Sequence, residues 1–357
     1  MATPLPDSRT KEPCDICELL HFALSERATD IHFEPGPDGG QVRFRVDRFF
    51  RTIRSVDAAT FSRQIGRIRV LAHLPGYESF KPQEGRISSE ESGIDADVRV
   101  SIIPSAGGEK AVLRLLTLQK SITPLRDLGF SEACFEGLLQ VSRRQSGMVL
   151  FCGPSGSGKT TTLYSLIQHL MQIRKNEWQF VSVEDPVERR IPGMTQLEIR
   201  PQFDLTFPSA LKYLLRQDPE VIVVGEIRDA ETAAVAVQAA FTGHLVLSTM
   251  HTAFAPETIL RLERMGIPEY QILSAVNLVF TQRLIRKKCG KCEDGCEACG
   301  RTGYSGLIPV GECTDPRDII GTRILGRESA AQRLRSEAQE LIKLGLTTYD
   351  EVNRVFE

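Results

Sequence analysis

Residues 148–163 read MVLFCGPSGSGKTTTL. The apolar run 148–152 suits a short buried strand, and 159–173 carries an amphipathic helical pattern. Between them, residues 153–160 (GPSGSGKT) fill every fixed position of G-x-x-x-x-G-K-[ST], in strand–loop–helix order. Gly153, Pro154, Ser155, Gly156, Ser157 and Gly158 form a loop whose successive N–H groups curl around phosphate oxygens, and the helix behind it turns its positive end to the anion. Lys159 is placed to reach the β- and γ-phosphates. The Thr160 hydroxyl can ligate Mg²⁺, and Thr161 follows it in the first turn. These residues predict a site for a nucleoside triphosphate with Mg²⁺.

Outward from this loop the chain keeps a regular rhythm. Strands are expected at 148–152, 179–184, 221–225 and 245–249, and helices at 159–173, 211–217, 230–241 and 256–265. Short buried strands alternating with helices call for an α/β fold with a mostly parallel sheet covered on both faces. Gly243 and Gly266 fall just past helix ends, where a left-handed residue is favoured.

Hydrolysis needs a carboxylate near the metal and the attacking water. Glu226, emerging from the β-branched run 221–224, is the candidate. Glu184 closes another strand in VEDPVE, where Pro186 forces a turn. It can position water or metal, or it can be a plain turn acid. His244 and His251 flank the strand 245–249. Seven residues of strand span roughly 23 Å, so the two cannot share a metal. Phosphate sensing or hydrogen bonding at one of them is one reading, structural histidines the other.

Composition excludes several classes. Hydrophobic residues make up 41% and charged residues 25%, which rules out collagen-like and wholly disordered chains. With 44 basic and 46 acidic residues, the formal charge is −2 and announces no nucleic-acid binder. Apolar runs stop at four or five residues, whereas a membrane span needs ~20. The opening residues carry no signal-peptide core, and the chain is expected to be cytoplasmic.

Residues 13–117 read as a smaller α+β unit: a helix near 17–27, then alternating strands at 29–34, 41–50 and 94–103. Residues 1–12 are expected to be a flexible terminus, and 118–130 a linker. Of nine cysteines, Cys289, Cys292, Cys296 and Cys299 cluster within eleven residues. Two C-x-x-C pairs supply the four thiolates of a closed structural Zn²⁺ site. Gly290, Gly295 and Gly300 allow the tight turns, although the three-residue gap is short and strains the geometry. Reduced free cysteines or a redox pair are the alternatives. Cys14 and Cys17 read as a fortuitous pair.

The segments GPSGSGKT, VEDPVE, RQDPEVIVVGEIRD and TGHLVLSTMHT, in that order, resemble the Walker A, Asp box, Walker B and His box of the type II secretion and type IV pilus assembly ATPases, the general secretory pathway protein E-like family. ATDIHFEP, VRFRVD, PQEGR, IPSAGGEKAVLRLL and the cysteine segment are similar to that family as well. The resemblance implies a RecA-like P-loop ATPase domain at 131–285, a PAS-like α+β domain at 13–117, a tetracysteine zinc-binding subdomain at 286–312 and C-terminal helices at 313–357. It implies a homo-hexameric motor at the cytoplasmic face of the inner membrane. Such a motor associates peripherally, through partners, and drives an inner-membrane platform protein that adds pilin or pseudopilin subunits. Glu226 would be the general base, Glu184 its helper, and Arg99 and Arg114 arginines offered to the phosphates. Retraction motors of the family generally lack the cysteine segment, which tilts the reading towards assembly or export. Two departures stand out. Arg48 replaces a glycine after VRFRVD, so that hairpin is expected to be distorted. Only about a dozen residues precede the first domain, leaving little for the usual membrane docking. The alternative is a RecA-like nucleic-acid translocase using the basic run 283–291; a nucleic-acid partner is not expected.

Overall fold

A computed structural model describes residues 15–78, 80–117, 122–322 and 327–356, so the expected flexible terminus, most of the linker's start and Cys14 lie outside the described residues. The chain divides into two compact units, Met1–Lys120 and Ser121–Glu357.

The first unit is a six-stranded antiparallel sheet, β1 (Ala28–Gly36), β2 (Gly39–Val46), β3 (Phe49–Asp57), β4 (Gln83–Ile87), β5 (Ala96–Ser105) and β6 (Gly108–Thr117), in the order β3-β2-β1-β6-β5-β4. Alternation decides its faces. In β5, Ala96, Val98, Val100 and Ile102 turn inward, while Arg99 and Ile103 stay exposed. The buried set packs with Leu19 and Leu20 of the helix Ile16–Ser25 and with Ile65 and Ile68 of the helix Ala58–Leu71.

The expected strand 41–50 is in fact two strands. It breaks at Asp47 and Arg48, whose φ angles of 47° and 70° form a two-residue turn that pairs Val46 with Phe49. Two successive positive φ values are what a type I′ hairpin requires. The hairpin therefore forms undistorted, with Arg48 adopting the left-handed conformation that glycine usually supplies.

The second unit is a seven-stranded sheet. Its strands are β7 (Gly147–Cys152), β8 (Phe180–Glu184), β9 (Met194–Glu198), β10 (Val221–Val224), β11 (Leu245–Met250), β12 (Val276–Lys288) and β13 (Tyr304–Thr314), in the order β13-β12-β7-β11-β10-β8-β9. All neighbours are parallel except β13, which runs antiparallel to β12 at the edge. Every residue of β7, β8, β10 and β11 is buried. Met148, Leu150 and Cys152 face one core; Val149 and Phe151 face the other. Helices cover both sides, as full burial of parallel strands demands.

β12, β13 and β9 went unread in the sequence. β12 outlasts its parallel partner: Thr281 pairs with Cys152, the last residue of β7, and the strand continues to Lys288. The cysteine segment is the connection from β12 to β13, so the boundary drawn at 285/286 falls inside a strand. Near the end of the chain, the helix Tyr349–Phe356 places Glu351 in full burial against β12. Glu351 accepts from the Arg286 N–H at 2.9 Å and Nε at 2.6 Å, and from Arg354 Nε and a terminal guanidinium nitrogen, both at 2.7 Å. Burial alone would raise its pKa, but these donors outweigh it and hold the carboxyl at about 2.

Candidate phosphate site and tetracysteine centre

In a parallel sheet, ligands gather at the carboxyl ends of the strands. Here β7 leads into the loop 153–158, β10 into Glu226 and β11 into His251, while β8 ends on Glu184. Gly153, Gly156 and Gly158 have φ of 150°, 71° and 87°, a backbone path that residues with side chains rarely adopt. Gly158 caps the helix Lys159–Arg174.

Lys159 is buried and folds back on the loop, donating to the carbonyls of Gly153 at 2.8 Å and Pro154 at 3.0 Å. Burial disfavours its charged form and pulls the ammonium pKa down to about 8. A phosphate arriving here would restore the charge. Ser157 is fully buried and its hydroxyl has no hydrogen-bond partner within the chain. Of the flanking residues, Thr160 is half-buried and Pro154, Ser155 and Thr161 are exposed.

Glu226 is mostly shielded. One of its oxygens pairs with the Arg228 guanidinium, and the other faces His251 Nε2 at 3.4 Å without a hydrogen bond. Burial lowers the His251 pKa, and the positive charge of Lys159 adds to the effect, so the ring is neutral at physiological pH and can accept or donate one proton. Thr249 Oγ1 donates to the Gly225 carbonyl at 2.7 Å, and the Ile227 N–H donates to the Thr249 carbonyl at 3.1 Å, tying the two strand ends together.

Glu184 behaves differently. It is buried, and its carboxylate accepts from the Tyr164 hydroxyl, from Ser182 Oγ at 2.6 Å and from Gln196 Nε2 at 3.0 Å. Desolvation, with the Glu184 charge next in weight, pushes the Tyr164 phenol far above its usual range. Both carboxylate oxygens are already used, and Glu184 acts as a buried hub that fixes the end of β8. Gln196 was missed because β9 itself went unread, and Tyr164 because it sits in the helix Lys159–Arg174 among residues that read as ordinary packing.

His244 stands apart from this group. It precedes β11, level with Gly147 at the start of β7, at the opposite, amino-terminal end of the strands. Its ring Nδ1 lies 3.0 Å from the Ala239 carbonyl, and its own carbonyl accepts the Gly147 N–H at 3.0 Å. The structure gives it a structural place.

In the first unit, Arg99 and Arg114 are brought side by side. One row across the sheet pairs Arg86 with Arg99, Arg99 with Arg114, and Arg114 with Asp30. Arg114 Nε donates to Asp30 at 2.9 Å and Arg86 pairs with Asp97, which leaves Arg99 as a cation flanked by like charges. Such a row is stabilised by an anion.

The four clustered cysteines converge: their sulfurs all lie within 4.8 Å of one another. Cys289–Cys296, Cys292–Cys299 and Cys296–Cys299 are separated by 4.0, 3.6 and 3.9 Å. A tetrahedron of Zn–S bonds of about 2.3 Å has edges of about 3.8 Å, so the donors fit Zn²⁺ and the short gap imposes no strain. The Cys296 N–H donates to Cys299 Sγ at 3.2 Å. Burial resists ionisation of Cys299, but the N–H groups of Cys296 and Gly303 outweigh it and hold that thiol at about 6, while burial and the neighbouring cysteines push the Cys292 thiol up to about 12. Gly295 and Gly300 take positive φ, and a Cβ on Gly295 would meet the Arg301 carbonyl oxygen at 2.7 Å. Gly290 has open space and needs no glycine.

The basic run 283–291 is partly used up internally. Arg283 and Arg286 are each 6% exposed, the first donating to the Ala253 carbonyl at 2.7 Å and the second bound to Glu351. No described helix is long and apolar enough to cross a membrane.

Comparison with known proteins agrees with this arrangement. The profile of the Type II/IV secretion system protein family matches residues 10–354. The chain is 39% identical to the type II secretion system protein HxcR of Pseudomonas aeruginosa, over 94% of this chain and 76% of that protein. It is 36% identical to the type IV pilus assembly ATPase PilB of Thermus thermophilus, over 94% of this chain but 42% of that protein. Among solved structures, the pilus retraction motor PilT with bound ADP shares the fold, with a TM-score of 0.67 at 24% identity over 95% of this chain and 96% of that one. With strand ends, glycine loop and sequence similarity in agreement from residue 10 to residue 354, the chain belongs to the Type II/IV secretion system protein family.

Proposed function

We propose that this chain is the ATP-hydrolysing motor of a type II secretion or type IV pilus assembly machine. The observation that carries the reading is the placement of Lys159: a buried ammonium folded back on the Gly153 and Pro154 carbonyls, inside a glycine path shaped for phosphate. In the proposed reaction, MgATP occupies the loop 153–160, with Thr160 towards the metal. Mg²⁺ supplies charge neutralisation at the β- and γ-phosphates. A water attacks the γ-phosphorus in line, the bond to the β,γ-bridging oxygen breaks, and ADP and orthophosphate leave. Glu226 takes the proton of the attacking water. Its hydrogen bond to Arg228 must loosen for this, and His251 stands beside the free carboxylate oxygen to orient it. Glu184 supports from behind as a buried anchor.

In this reading the second unit contains the RecA-like ATPase domain, and 13–117 is the PAS-like domain whose Arg99 and Arg114 are assigned to phosphate recognition in the assembled ring. Zn²⁺ on Cys289, Cys292, Cys296 and Cys299 is structural. The motor would work as a homo-hexamer at the cytoplasmic face of the inner membrane, on a platform protein that receives pilin or pseudopilin subunits. Burial of Arg283 and Arg286 weakens the alternative of a nucleic-acid translocase.

The test is orthophosphate release from MgATP by the purified chain and by Glu226→Gln. The wild type should turn over, and the variant should keep nucleotide affinity while slowing by about 10²–10⁴-fold, as loss of a general base does. An unslowed variant removes Glu226 from the chemistry. Stimulation by DNA, with none by a platform protein, would favour the translocase.

A further inference from the structure

β12 contributes a residue that motif reading passes over. Gln282 follows Thr281, the last β12 residue paired with β7, and so stands where the phosphate loop leaves the sheet. It is 2% exposed. Its main-chain oxygen lies 2.5 Å from where a Cβ on Gly153 would be, and its amide Nε2 lies 2.7 Å from where a Cβ on Gly158 would be. Both ends of the loop therefore rest on one residue.

The side chain also reaches the helix. Gln282 Oε1 accepts from Thr162 Oγ1 at 2.9 Å, three residues past Lys159. A helical Ser or Thr commonly turns its hydroxyl back to a carbonyl four residues earlier. Ser165 does so, donating to Thr161 O at 2.9 Å, whereas Thr162 gives its hydroxyl to a different strand. The Gln282 main chain is pinned in turn by the next residue. Arg283 donates to the Gln282 carbonyl at 3.1 Å and to the Ala253 carbonyl at 2.7 Å, two residues beyond His251.

We infer that Gln282 is a positioning residue of the nucleotide site. Acting through Thr162 and the two glycines, it sets the angle at which the loop N–H groups and Lys159 meet the phosphates. The inference rests on the reading of 153–160 as a nucleotide site. Alignment errors of about 1 Å cost about a hundredfold in such reactions, which makes a rigid support worth having.

The experiment uses the full chain loaded with zinc and compares Gln282→Met, Thr162→Val, their combination and Thr162→Ser. MgADP affinity, turnover and thermal unfolding are the readouts. Gln282→Met and Thr162→Val should each weaken MgADP about tenfold and lower turnover, because each leaves a buried partner unpaired. The double variant should be no worse than the poorer single, since both remove the same bond. Thr162→Ser, which keeps the hydroxyl, should match the wild type. If Gln282→Met does not fold, the Thr162→Val and Thr162→Ser pair carries the test alone. Variants within twofold of the wild type in affinity and turnover, or losses that simply add, overturn the role of Gln282. A wild-type chain that binds no MgADP overturns the nucleotide reading instead, and this inference with it.

Discussion

The loop after β7 and the loop after β12 leave paired strands, yet different chemistry holds each in place. The phosphate loop takes its shape from main-chain geometry and from the buried strands behind it: three glycines at positive φ, a helix starting at once and Gln282 underneath. The cysteine loop begins seven residues further along β12 than the last β7 pairing, roughly 23 Å at strand spacing. Within 290–302 only Cys299 is buried, so the segment has no core to fold around. For the first loop the ligand is a substrate of a finished structure. For the second, the four converging thiols could take an ion that would become part of the structure.

The largest expected effect comes from removing the charge that the finished loop presents. Lys159→Ala should lower phosphate release by about 10²–10³-fold or more. It should not lower the melting temperature at neutral pH. The folded-state pKa of about 8 lies below the ordinary lysine value, so the charged ammonium weighs against the fold below pH 8, and stability rises with pH between there and the unfolded pKa. Calorimetry showing a large loss of stability would mean that the lysine is structural.

The cysteine loop should respond the other way. Cys296→Ser, or stripping of metal by a chelator, should abolish hydrogen-exchange protection across 289–303 and bound zinc, while MgADP affinity stays within about twofold. A stripped loop that keeps its protection would erase the distinction between the two sites.

A milder probe is pH. Binding phosphate needs Lys159 protonated, so above about pH 8 the chain must take up a proton to bind. MgADP affinity measured by titration calorimetry should fall up to tenfold per pH unit there and should be flat in this respect below pH 7. The smallest effect asks whether left-handed geometry always demands glycine. Arg48→Gly should shift stability by less than about 1 kcal/mol in a urea titration, because relief at φ 70° is offset by a freer unfolded chain.

Residues whose chemistry follows from local spacing were legible in the sequence. The glycine loop, the strand before it, Glu226 and the four cysteines are each defined by neighbours a few positions away, and the parallel core followed from apolar runs separated by helical patterns. What escaped depends on contacts between distant segments. Gln282 matters because β12 lies beside β7, a pairing that no local pattern states. Glu184 reads as an available acid until Tyr164 and Gln196 are seen to occupy it. His244 and His251 look equivalent in sequence; only the direction of β11 puts His251 by Glu226 and His244 at the far end of the strand. β12 itself was hidden because its charged residues, Arg283 and Arg286, looked like surface but are buried, the first donating to backbone carbonyls and the second paired with Glu351.

The burial of Glu351 beneath Arg286 has a bearing on synthesis. A polypeptide ending before residue 349 would lack the Glu351 carboxylate that pairs with the buried Arg286 guanidinium, a loss of about 3–5 kcal/mol. Such a product would be marked by fragility around β12 rather than by a change in the loop 153–160.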